Sequence, residues 1–174
     1  HRDLHSFPTR RSSDLNYSRR IAMGLLDRFL RVVRANLTAI VNGAEDPEQI
    51  LEQTVADMQS DLIQIRQSVA QAIATQKRTE RQQAQAETTA QEWYNRAQLA
   101  LNKGDEATAR AALSRRQPYL ETARVMAGQQ QQQQQIVHKM KTNMRQLEAK
   151  LAEARTKKDM FIADRKSTRL NSSH

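Results

Sequence analysis

The 174 residues contain no cysteine, which excludes a disulfide framework and any thiolate metal site. Glycine (4) and proline (3) are scarce, and aromatics make up only 4% of the chain. With so few large apolar side chains, a narrow seam between helices is a more economical design than a single deep core. No stretch approaches the roughly 18 uninterrupted apolar residues of a membrane-spanning helix, so any membrane contact is peripheral.

Chemistry is equally sparse. There is no glycine-rich phosphate loop and no Walker-type lysine motif. The four histidines are His1, His5, His138 and His174, three of them near the chain ends. His138 stands by itself on an expected helix, so neither a metal cluster nor a nucleophilic triad assembles. Glu52, Asp57 and Asp61 sit at helical spacings among basic residues, as on a solvated face with side-to-side ion pairs. No catalytic residue, metal or cofactor is expected.

What is abundant is Ala, Gln, Glu, Arg and Lys, straight-chain or small residues that lose little freedom in a helix. The formal charge is +9, but it is unevenly placed. Residues 1–22 carry five Arg against Asp3 and Asp14, and residues 166–174 add Lys166 and Arg169. The remaining +4 over 23–165 is no case for a nucleic-acid partner. Both end segments lack helical or strand periodicity. HSFPTRRSSDL and STRLNSSH resemble translated sequencing-adapter read-through, which makes 1–22 and 166–174 expected non-native or disordered extensions and Met23 the natural start. The rival reading is a basic, Ser-rich targeting arm. The natural protein is then expected to continue past Arg165.

Residues 23–42 are the first periodic stretch. On a helix, Leu26, Phe29, Leu30, Val33, Leu37, Ile40 and Val41 share one side, and Arg28, Arg31, Arg34 and Thr38 the other. Apolar bulk opposite several arginines suits the boundary between headgroups and acyl chains. It suits a helix packed on its own protein as well, and spacing alone does not choose. Asn42-Gly43 ends the helix. Asp46-Pro47 restarts it, with Asp46 as cap, Pro47 in the first turn and Gln49 placed for a capping box.

From Leu51 to Ala100 a seam alternates spacings of four and three: Leu51, Val55, Met58, Leu62, Ile65 and Val69, then Ala72, Gln76, Thr79, Gln83, Ala86, Ala90, Trp93, Ala97 and Ala100. This 3.5-residue repeat marks a left-handed coiled coil, apolar in its first half and small or polar in its second. Residues 102–105 read as a reversal, with Gly104 in the left-handed conformation and Asp105 capping the next helix. The second helix is expected over 106–165, carrying Val137, Met140, Met144, Leu147, Leu151, Ala154 and Phe161 in the same rhythm. Folding at Gly104 sets Leu62 level with Gln146–Leu147 and Leu51 with Lys157–Lys158, so apolar half meets apolar half.

The expected fold is therefore all-α: a short amphipathic helix, then an antiparallel two-helix coiled-coil hairpin over 46–165 whose first helix, 47–101, is ~80 Å long. So long and thin a pair needs lateral neighbours, which implies a homo-oligomer. Pro118 is expected to kink or interrupt the second helix, and Gln129–Gln135 to be a solvated helical stretch. Trp93 with Tyr94 near the reversal is either seam filling or an anchor for a partner or membrane interface.

The sequence MGLLDRFLRVVRANL, then AEDPEQILEQTVADMQSDLIQIRQSVAQAIA, closely resembles the phage-shock-protein A and vesicle-inducing protein in plastids family. LALNKGDEATARAAL and LEAKLAEARTKKDMF match its character too, and the resemblance covers about 23–165. The early helices are nearer to its cyanobacterial and thylakoid branch. The resemblance implies a bacterial relative of the ESCRT-III superfamily: a peripheral scaffold that forms rings or rods and maintains, remodels or fuses membranes. It implies a cytoplasmic protein on the inner face of the plasma membrane or on thylakoid membrane. It assigns Leu25, Leu26, Phe29, Leu30, Val33 and Leu37 to the inserting face and Arg28, Arg31 and Arg34 to anionic lipid phosphate. Some members bind and slowly hydrolyse nucleotide at a subunit junction, where Arg66 and Glu148 correspond. The further acidic group expected from a later helix is missing here, so no enzyme is expected. The alternative role within the family is a coiled-coil stress-response regulator that sequesters a transcriptional activator.

Overall fold

A computed structural model describes residues 37–173 continuously, together with Arg20, Gly24, Asp27, Arg28 and Arg31. The described residues form no strand. Three helices follow in order: α1 (Leu37–Asn42), α2 (Pro47–Asn102) and α3 (Glu106–Asn171). The fold is all-α, with the two long helices packed on each other.

The helix boundaries follow from local chemistry. At the start of α2 the Gln49 N–H donates to Asp46 Oδ1 (3.3 Å), which gives one orphan amide of the first turn a partner. At the end of α2 the Asp105 N–H donates to the Ala100 carbonyl and the Gly104 N–H to the Leu101 carbonyl, both at 2.9 Å. These are the two bonds of a Schellman termination, and they require the positive φ of Gly104 (75°). Asp105 then caps α3: its Oδ1 accepts from the Thr108 N–H (3.1 Å) and its Oδ2 from the Thr108 hydroxyl (2.6 Å). Those bonds, the hydroxyl first, hold the Asp105 carboxyl below its ordinary pKa.

The chain divides into two compact units, one including 37–69 with 140–173 and the other comprising Ala70–Lys139. In the first, the core is built from Leu37, Val41, Leu51, Val55, Met58, Leu62, Ile65 and Val69 with Met140, Leu147, Leu151 and Ala154, all buried. Leu51, Met58 and Leu147 are the largest side chains that are fully enclosed. In the second, the buried positions are Ala86, Ala90, Ala97, Ala100, Ala109, Ala112 and Ala123, with Thr79 and Val137. A buried Leu contributes about 1.5–3 kcal/mol and an alanine methyl roughly 0.8, so the two seams differ several-fold in driving force per layer.

Three departures from the sequence expectation lie in α3. First, α3 is uninterrupted at Pro118. Proline removes one donor, but its ring lies on an exposed position, and α3 continues as a helix on both sides. Second, α3 runs on to Asn171, past the expected end at Arg165. Third, the glutamine run is not wholly solvated. Gln130 and Gln133 are half-buried between Ala123 and Val137, so they hold seam positions while their neighbours face water.

Candidate functional site

The expected lipid-facing segment is only partly described. Leu25, Leu26, Phe29, Leu30, Val33 and Arg34 lie outside the described residues. Asp27, Arg28 and Arg31 are helical and exposed, and the Arg31 Nε–H reaches the Asp27 carbonyl one turn back (3.5 Å). Leu37 is 2% exposed and Val41 4%, whereas Ile40 is 44% exposed. Leu37, assigned by the family resemblance to the inserting face, is thus placed in the protein core in this structure. A six-residue helix cannot present the same leucine to lipid and to its own core at once. Ile40 is the large apolar residue of α1 that is left in solvent.

Arg66 and Glu148, which the family resemblance sets at a nucleotide-binding subunit junction, form an ion pair within the first unit. Arg66 Nη2 lies 3.2 Å from Glu148 Oε1, with the side chains 59% and 41% exposed. Sequence reasoning missed two further cross-helix ion pairs there. Lys158 Nζ reaches Glu52 Oε1 at 3.7 Å, and Arg165 Nη1 bonds Glu48 Oε2. The direction of all three is informative. A pivot at Gly104 puts residues 52, 66 and 48 level with 156, 142 and 160, yet each partner lies further along α3. Side chains lean towards the N-terminus of their own helix. In an antiparallel pair the two leans converge only when the α3 residue starts beyond the level position. Lys150 and Lys157 flank Glu153 on α3, and the hydrogen bond from Lys150, ahead of that from Lys157, lowers the Glu153 pKa.

Near the reversal, in the second unit, Trp93 is half-buried and Tyr94 exposed. Arg96 stacks over Trp93 at 4.5 Å, Arg115 approaches the same ring at 5.3 Å, and Arg116 stacks over Tyr94 at 4.9 Å. The Arg116 Nε is buried without a hydrogen-bond partner. The sequence carried a signal for this cluster: a pivot at 104 sets residue 115 level with 93. Among the described residues, no group of three or more His, Asp or Glu is placed to hold a metal. No described helix is long and apolar enough to cross a membrane.

Comparison with known proteins gives these features a context. The profile of the PspA/IM30 family matches residues 24–173. The membrane-associated protein Vipp1 of Nostoc punctiforme is 50% identical over 141 residues, covering 81% of this chain and 55% of its own. The Vipp1 protein of Synechocystis is 48% identical over 149 residues, covering 86% and 56%. The chloroplastic VIPP1 of Oryza sativa is 46% identical over 149 residues, covering 86% and 47%. The chain spans about half the length of these curated relatives. Their names describe membrane association and no catalytic activity. With the profile covering both long helices and the reversal between them, the chain belongs to the PspA/IM30 family.

Proposed function

We propose that this chain is part of a peripheral membrane-binding, self-assembling scaffold for membrane maintenance, remodelling or fusion, acting at the inner face of the plasma membrane or at thylakoid membrane. The observation that carries this reading is the family match over 24–173, with relatives at 45–50% identity named as membrane-associated. Two features are in keeping with it. Arg28 and Arg31 are exposed on helical turns, where they can meet anionic lipid. The long helices also leave Ile63, Val125, Ile136 and Met160 exposed after the seam between them is filled. These residues are available to neighbouring copies, and a pair of helices this thinly packed gains stability from such lateral burial.

The test is flotation of the chain with phosphatidylglycerol-containing liposomes. Phe29→Asp with Leu30→Asp is expected to abolish flotation at low lipid concentration, and unchanged flotation of that double variant sinks the reading. A soluble complex with a transcriptional activator that survives deletion of 23–41 and ignores lipid supports the regulator alternative instead.

A further inference from the structure

In the second unit, two arginines from different helices converge on one indole. Arg96 of α2 and Arg115 of α3 stand 4.5 and 5.3 Å from the Trp93 centroid, and both are exposed. A guanidinium held over a ring by its π face keeps its edge N–H donors for a further partner. Two like charges on one ring repel, and among the described residues neither is ion-paired with a carboxylate. Glu92, one turn before Arg96, is exposed and not paired with it. Two oriented cations without an internal counterion call for an external anion.

Apolar surface adjoins these cations. Leu99, three residues after Arg96, is 60% exposed, and Tyr119, four after Arg115, is 39% exposed. These spacings keep each residue on the side of its helix that carries the arginine. The open depression along Arg110, Leu113, Ser114 and Gln117 includes none of these residues.

We propose that Trp93, Arg96, Leu99, Arg115 and Tyr119 form a second lipid-contact site, distinct from the N-terminal segment and specific for an anionic phospholipid surface. Lipid phosphates bridge Arg96 and Arg115, while Leu99 and the edges of Trp93 and Tyr119 enter the headgroup–acyl boundary, where amphipathic rings are stable. An acidic peptide satisfies the guanidiniums but offers no apolar layer to Leu99 and Tyr119. A bilayer surface supplies both the phosphates and an apolar layer beneath them. The proposal rests on the membrane-binding reading above, but on different residues.

Trp93 is the sole tryptophan, so its emission reports on this site and not on the N-terminal segment. The full chain is mixed with phosphatidylcholine–phosphatidylglycerol vesicles carrying brominated acyl chains. The expected result is a blue shift with several-fold quenching, absent with pure phosphatidylcholine and lost in Arg96→Gln with Arg115→Gln. In the Phe29→Asp, Leu30→Asp background the quenching is expected to persist at higher lipid concentration, which separates this site from the N-terminal one. If the arginine variant loses helicity, the anionic-versus-neutral contrast in the unaltered chain decides. Unchanged Trp93 emission on vesicles that the chain demonstrably binds overturns the proposal. So does an emission shift with polyglutamate and none with vesicles, which assigns the surface to an acidic protein.

Discussion

Arg66 and Glu148 are 82 positions apart in sequence and meet as an exposed ion pair, Nη2 to Oε1 at 3.2 Å. The pair joins α2 to α3 on the surface of the strongly apolar seam. The contact engages one Nη2 donor of Arg66 and leaves more than half of the side chain exposed. Exposed pairs contribute about 0.2–1 kcal/mol. A double-mutant cycle with Arg66→Ala and Glu148→Ala is therefore expected to give a coupling energy in that range, falling as salt is raised. Thermal melting monitored by circular dichroism measures it. The same variants assayed with nucleotide are expected to match the unaltered chain in showing no multiple turnover. Turnover abolished by either substitution assigns the pair a catalytic role instead.

The two seams differ in what they bury, and this sets a gradient of local stability. Leu147 is 1% exposed and enclosed by the first unit, so Leu147→Ala is expected to cost about 2–5 kcal/mol. The second unit relies on alanine methyls, and the Oε1 atoms of Gln83 and Gln133 are buried without hydrogen-bond partners. A buried unsatisfied polar atom costs about 1–3 kcal/mol. Amide exchange is thus expected to be faster across 76–90 and 126–137 than across 51–69 and 140–154. Gln83→Leu combined with Gln133→Leu is expected to slow exchange in the second unit selectively. Uniform protection along both helices contradicts this account.

The fold was legible because its determinants are local and periodic. The four–three rhythm located every layer of the first unit from Leu51 to Val69, and Asp46, Gly104 and Asp105 marked boundaries whose capping bonds the structure contains. What escaped was how side chains reach between helices. The lean of each side chain along its own axis displaced Lys158, Glu148 and Arg165 beyond the level positions, and no residue-type rule encodes that. Pro118 does not interrupt the helix, and it sits on an exposed face where one lost backbone bond leaves the seam intact. Burial of Leu37 was hidden for a different reason. A helix designed for lipid and one designed for a protein core have the same apolar stripe.

Asp105 ties the end of α2 to the start of α3, and its response to pH has a definite sign. Hydrogen bonds from Thr108 lower its folded pKa below the unfolded value. Its stabilising effect is therefore complete above the unfolded pKa and is lost as pH falls through the folded one. Exchange protection of the amides in 103–109 is expected to decline in this acid range, below about pH 4. Asp105→Asn is expected to remove that pH response. Gly104→Ala forces a side chain into φ +75° and is expected to cost about 1 kcal/mol at any pH. Nuclear magnetic resonance of the turn amides distinguishes the two effects.

Leu37 and Phe29 lie on the same expected apolar stripe but are expected to respond differently to the same substitution. Leu37 is 2% exposed and belongs to the core of the first unit with Val41. Leu37→Asp leaves a carboxylate without a solvent shell, a cost of several kcal/mol unless the helix detaches. The variant is expected to lower the melting temperature, or to release α1 with faster exchange at 37–42, while the remaining inserting residues keep their affinity for anionic vesicles. Phe29→Asp is expected to do the reverse, weakening flotation with little change in melting. If Leu37→Asp instead leaves melting and exchange unchanged and abolishes flotation, Leu37 serves lipid. The burial of α1 then belongs to a resting arrangement that membrane binding opens, and the apolar side of α1 passes from protein to bilayer.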